Sequence, residues 1–304
     1  MRPSRLGKDY QSFVKARRLA EKNKVGGCIS MFQWIIRGTS IRLLVLLACL
    51  LPLTALSAES VTVRYKEGVS HGFLVLRTPD GKPIADGEST QIPQGDHVIS
   101  HMWFKFKDGS SYDQTTVFSQ QGTFRLLRDH VVQEGPLFKR RMDTLIDATS
   151  GEVTVRYTDD HNQEKVMTEH LKLPADLANG ILFTLLKNIQ SSVPNTRVSY
   201  VAATPKPRIV NLEIVPQGQQ PFSIGNYTHK ALLLAIRVKI GGVTGALAWF
   251  AGKVPPDTQA WILTDEAPAF ARADGPILGD GPVLRMELAI PARWPDSGPS
   301  RNVR

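Results

Sequence analysis

Clusters of turn-forming residues cut this chain into short pieces from end to end, and no other feature limits its fold as much. They include Thr78-Pro79-Asp80-Gly81-Lys82, Lys107-Asp108-Gly109-Ser110, Gln120-Gln121-Gly122, Ala148-Thr149-Ser150-Gly151 and Asp159-Asp160-His161-Asn162. Proline presets φ for a turn, glycine accepts positive φ, and Asp and Asn bond their own backbone. The pieces between are too short for most helices and carry the period-two alternation of half-buried strands. Over residues 96–106, Val98, Met102, Phe104 and Phe106 fall on one face and His101, Trp103 and Lys105 on the other. Leu232, Leu234, Ile236, Val238 and Ile240 do the same over 230–240. Strands are predicted at 61–66, 71–77, 96–106, 111–119, 123–132, 137–147, 152–157, 164–173, 197–203, 208–215, 230–240, 243–251, 259–264 and 283–290.

One segment departs from this rhythm. Over residues 174–191, Leu177, Ile181, Leu185 and Ile189 recur every four positions, with Ala178, Leu182 and Leu186 in the adjacent row and Phe183 beside them. This spacing predicts a helix of about four turns with a wide apolar face. Pro174 suits its first turn, and Asp176 favours its dipole. The predicted fold is mainly β (α+β): a long curved antiparallel sheet or half-barrel, with one apolar helix packed against it.

The net charge of +9 would by itself suggest a nucleic-acid or membrane partner. Its distribution removes the first. Residues 1–58 hold ten Lys/Arg and two acids, and the remaining 246 residues are nearly neutral at +1. The apolar run Leu43–Leu56 follows Arg37 and Arg42, is broken by Pro52 and ends in Ser57-Ala58. It falls short of the roughly 18–20 residues of a membrane span and has the form of a secretory signal. Met31 begins a good charged front for it, so residues 1–30 read as an upstream extension and 31–58 as the signal peptide. Residues 59–290 read as one β-rich domain, and 291–304, rich in Pro, Ser and Arg, as a disordered tail. The expected location is the periplasm or cell envelope. Leu46-Leu47-Ala48-Cys49 has the outline of a lipidation site, disfavoured by bulky Leu47 and the apolar run beyond Cys49.

Cys28 and Cys49 both precede residue 59, so the body has no disulfide, thiolate metal site or Cys nucleophile. No nucleophile elbow, His-Glu-x-x-His helix or phosphate loop is present. His97 and His101 share a strand face about 13 Å apart, too far to chelate one ion. Asp159, Asp160, His161 and Glu164 read as a solvated turn rather than a cation site. Lys139, Arg140 and Arg141 are a candidate contact for a membrane surface, though a charged strand edge explains them better. No catalytic residue, metal or cofactor is predicted, and the chain is expected not to be an enzyme.

The apolar helix and the aromatic residues of the C-terminal strands exceed what one solvated sheet needs. Ile181, Leu185, Trp249, Phe250 and Trp261 are therefore the candidate lining of a pocket for a lipid acyl chain or other apolar small molecule. A thick core is the plainer fate of such residues. The alternative function is a structural or protein-interaction module of the envelope.

Residues Asp176–Leu186 after the first meander, and Ala260-Trp-Ile-Leu-Thr-Asp265 followed by Pro268, carry a family resemblance. The chain resembles uncharacterised exported bacterial proteins and, distantly, the periplasmic lipoprotein carriers (LolA/LolB-like). That resemblance implies a half-barrel covered by helix and a lipid-handling role. It transfers no functional residue.

Overall fold

In the computed structural model the described residues are 60–204, 206–239, 256–265, 267–276 and 281–289. The chain divides between Ser57 and Ala58, and every described residue belongs to the second unit. The leader with Met31, Cys28 and Cys49, the strand expected at 243–251 with Trp249 and Phe250, and the tail at 291–304 lie outside the described residues.

Fourteen strands make one antiparallel sheet among the described residues. The first eight are β1 (Ser70–Arg77), β2 (Pro83–Gln94), β3 (His97–Phe106), β4 (Ser111–Gln121), β5 (Thr123–Glu134), β6 (Met142–Asp147), β7 (Glu152–Thr158) and β8 (Glu164–His170). The remaining six are β9 (Thr196–Ala202), β10 (Arg208–Ile224), β11 (Tyr227–Lys239), β12 (Thr258–Leu263), β13 (Ala269–Pro276) and β14 (Val283–Leu288). Neighbours in sequence are neighbours in the sheet, with two exceptions. β1 pairs β14 through Leu74↔Leu288 to Arg77↔Arg285, and β8 and β9 form the two free ends. The sheet is thus a barrel-like meander left open at one seam, and the crossover segment 171–195 joins the two edges of that seam.

The alternation read from sequence is the alternation observed. Val98, Phe104 and Phe106 on β3 and Leu232, Leu234 and Ile236 on β11 are buried. They join one core cluster that draws on both halves of the sheet and on the crossover segment. Burying each such side chain contributes roughly 1.5–3 kcal/mol, so one continuous interior is enough to hold a long sheet curled.

Several elements differ from expectation. Residues 61–66 are not a strand; Thr62 makes a single bridge to Thr123. β2 and β13 are strands where none was predicted. Their sequences, PIADGESTQIPQ and AFARADGP, are polar and carry Gly and Pro. Each is nonetheless paired on both sides, and Gly87 has its reason: the Phe104 ring occupies the space a Cβ would need. β6 begins only at Met142, so the Lys139–Arg141 run sits in the loop before it and not on a strand edge. There Arg141 lies 3.4 Å from Glu134 and Arg140 stacks over Tyr157. β10 runs on past Pro216, because a bulge between Pro216 and Gln219, with Gly218 at φ 96°, absorbs the missing donor.

The largest correction concerns the helix. Of residues 174–191 only α1 (Leu182–Leu186) is helical. The four-turn prediction fails because its first half is used otherwise. The Ala178 N–H donates to the Ser199 carbonyl at 2.8 Å, and the Asp176 carboxylate accepts from the Ser199 N–H at 2.9 Å. The Asn179 amide donates to the Val201 carbonyl at 2.9 Å and accepts from its N–H at 2.7 Å, as a strand peptide would. Residues 176–179 therefore satisfy the free edge of β9. Gly180, at φ 67°, then turns the chain into α1. The apolar spacing belongs to a buried segment, but the segment serves as an edge cover and plug rather than as a continuous helix.

Candidate functional site

Two of the five residues proposed as pocket lining lie in the plug. Ile181 and Leu185 are 1% and 2% exposed and belong to the central core cluster. Trp261 is not brought to them. Ala260 and Ile262 point into the core, so Trp261 between them faces the outer side of β12, with the Arg272 guanidinium 4.6 Å from its ring centre. Phe183, which was not singled out for the pocket, instead meets Phe270 of β13 at 4.8 Å and pins α1 to the C-terminal strands.

A cleft of about 410 Å³ opens beside the end of the plug. Its floor is apolar: Leu186 and Ile189 of the plug, Leu232 of β11 and Ile262 of β12. Its rim is polar, with Arg64, Lys187 and Gln190 on one side and Gln219, Thr264 and Asp265 on the other. Buried Asn188 builds the first side. Its side-chain oxygen accepts from the backbone N–H groups of Arg64 and Tyr65, each at 2.8 Å, and its amide donates to the Thr184 carbonyl at 3.1 Å. Lys187 is paired with Glu67 at 2.7 Å, and Gln120 holds the Glu67 backbone at both N–H and carbonyl. The Gln190 amide lies beside the Arg64 guanidinium and, turned so that its oxygen faces it, accepts at 3.0–3.2 Å. The irregular N-terminal stretch is thus fastened to the plug, and it presents Arg64 at the mouth.

On the opposite side the Thr264 N–H donates to the Lys230 carbonyl at 2.9 Å. Asp265 lies 2.7 Å from His229 Nδ1. That hydrogen bond, with help from the Lys230 N–H, holds the Asp265 carboxyl below its ordinary range.

No family model and no curated protein matches the chain. Among solved structures, a β-barrel-like protein of the domain of unknown function DUF1849 from Brucella abortus aligns at 12% identity. The alignment covers 74% of this chain and 98% of that one, with a TM-score of 0.42. None of these comparisons brings in the lipoprotein carriers.

Among the described residues His229–Asp265 is one of four such pairs, with His71–Glu88, His101–Asp113 and His130–Asp143. The other three lie across neighbouring strands on solvated surface. Only His229–Asp265 stands at the cleft, and among the described residues no Ser or Thr hydroxyl is bonded to its ring. Among the described residues no group of three or more His, Cys, Asp or Glu is placed to hold a metal ion. Asp159 accepts from the His161 and Gln163 N–H groups, as its predicted turn requires.

A buried polar chain lies deeper in the interior and was not foreseen. The Tyr112 hydroxyl donates to Gln114 at 3.0 Å; Gln114 and Thr116 donate to the Asp129 carboxyl at 3.0 and 2.7 Å. Asp129 is 2% exposed. Loss of water raises its pKa from 3.8 to about 6, against the hydrogen bonds from Thr116 and Gln114 that favour the charged form. Burial pushes the Tyr200 hydroxyl up to about 12, with the nearby Asp129 charge adding to it. Gly180 packs directly on this group: a Cβ there would overlap Thr116 Oγ1 and Asp129 Oδ1.

Proposed function

We propose that this is an exported, non-enzymatic protein of the bacterial periplasm or cell envelope that holds a small amphiphile in the cleft beside residues 186–192. The apolar part of the ligand lies on Leu186, Ile189, Leu232 and Ile262, and its anionic end faces Arg64 and Lys187. One observation carries this reading: an apolar floor and a cation-bearing rim meet in one cleft whose volume suits a small ligand. The secretory form of residues 31–58 supports the location. The cleft differs from the pocket expected around Ile181 and Leu185, which are themselves core.

The test compares a fatty acid with the fatty alcohol of the same chain length, each titrated into the purified full chain by native mass spectrometry. Both are expected to bind. Arg64→Glu should weaken the acid by about tenfold and leave the alcohol unchanged, since only the acid carries the charge that Arg64 faces. A mass that shifts with neither ligand would sink the proposal.

A further inference from the structure

The two edges of the open sheet are treated differently. Residues 176–179 bond the edge of β9, but β8 has β7 on one side and no strand on the other among the described residues. β8 is exposed along nearly its whole length, including Val166 at 58% and Met167 at 36%. It carries no proline or bulge, and a regular, partly apolar edge of this kind is a template for another strand.

We propose that the partner is β8 of a second copy of this chain, paired antiparallel about a two-fold axis at Met167. Three properties of β8 point there. The first is the direction of its free backbone groups. The Asp159 N–H donates to the Gln163 carbonyl and the Leu171 N–H donates to the Gly151 carbonyl, so odd-numbered residues bond toward β7. The N–H and C=O groups of Glu164, Val166, Thr168 and His170 therefore point outward. A two-fold axis at Met167 sets Val166 against Thr168 and Glu164 against His170, so outward-pointing groups meet each other.

The second property is charge. The same register sets Lys165 of each copy opposite Glu169 of the other, and Glu164 opposite His170. Every ionisable residue of the strand then faces an opposite or neutralising partner. Sliding the axis one step to Val166 or Thr168 loses the Lys165–Glu169 pair. Among the described residues Glu164 and Glu169 have no ion-pair partner of their own. Lys165 lies 2.9 Å from Gln163 Oε1 and 3.6 Å from Asp159 at the strand start, within easy swing of the new position.

The third property is apolar content. Met167 meets its own copy at the axis, and Val166 meets Thr168, which covers the two exposed apolar residues of the strand. The contact is isologous and closes as a dimer rather than growing into a filament.

The experiment uses the full chain carrying Cys28→Ser and Cys49→Ser. Met167→Cys places one thiol on the axis in a closely spaced pair, within disulfide reach of its copy, and should yield an oxidised dimer on a non-reducing gel. His170→Cys, about 20 Å from its copy in this register, should not. Light scattering of the cysteine-free chain should give a dimer mass. Lys165→Glu should weaken that dimer tenfold or more by setting like charges opposite each other, as should Glu169→Lys; the double exchange should restore it. Met167, Lys165 and His170 are exposed, so the fold is not at stake in them; Glu169 is half-buried, and urea unfolding of Glu169→Lys checks that its fold is kept. A monomer mass without the Met167→Cys crosslink overturns the proposal. So does a dimer indifferent to Lys165→Glu, or capture of a different protein by the Met167→Cys thiol.

Discussion

Asp129 makes the stability of this fold depend on pH in the direction opposite to that of most carboxylates. Its pKa is 3.8 in the unfolded chain and about 6 in the fold, where burial outweighs the donors Gln114 and Thr116. Between those values the unfolded chain has released its proton and the folded chain retains it. Stability is therefore fully present below about pH 4, falls as the pH rises, and levels off above about pH 6. The shift corresponds to about 3 kcal/mol. Asp129→Asn removes the titration. The new amide keeps an oxygen for Thr116, but its nitrogen faces the Gln114 amide, a mismatch that costs about 1–3 kcal/mol equally at every pH. Urea unfolding of both proteins from pH 4 to 7, followed by tryptophan fluorescence, measures the effect as a difference. The variant is expected to gain on the wild type by about 2.4 kcal/mol between pH 4 and pH 7, the part of the shift that this range spans. Parallel pH profiles would refute the reasoning, since they would mean that Asp129 is not held away from water.

Two further substitutions test the plug. Gly180→Ala is expected to cost about 2–4 kcal/mol in urea unfolding, because a positive φ and overlap with Thr116 and Asp129 add together. Gly109→Ala, with a positive φ but open space around it, should cost only about 1 kcal/mol. Asn179→Ala strips both hydrogen bonds from the buried Val201 peptide and should cost about 2–4 kcal/mol, with faster amide exchange on β9.

The sheet was legible because most of its strands alternate, and the alternation survives pairing. β2 and β13 were not, because their place is set by neighbours rather than by their own apolar content. Gly87 is there to admit the Phe104 ring, a need that appears only once β2 and β3 are in register. The helix misled for a related reason. Leu177, Ile181, Leu185 and Ile189 are all buried, as the spacing predicts. Period alone does not show that Asp176 and Asn179 are committed to the backbone of a strand more than twenty residues away.

Asp129 was hidden by a bulge. Phe124 and Leu126 point inward on β5, so simple alternation would bring in Arg128. The register shift opposite Val117 and Phe118 takes up one residue, and Asp129 enters instead. The cleft was half legible. The region beside the plug's end was foreseen as apolar, but Asn188 fastening Arg64 across 124 positions has no sequence signal.

The pairing of β1 with β14 also bears on how the molecule is made. Each half of the meander needs only contacts between successive strands, which form quickly. The strip from Leu74↔Leu288 to Arg77↔Arg285 joins residues some 210 positions apart, as in the Arg77–Glu287 ion pair. Closing so long a loop is slow, and β14 is the last described strand to leave the ribosome. Until then β1 and β13 both present open edges. Through most of its synthesis the chain therefore carries two unpaired strand edges of the kind that a stray strand can join, and the arrival of β14 removes both at once.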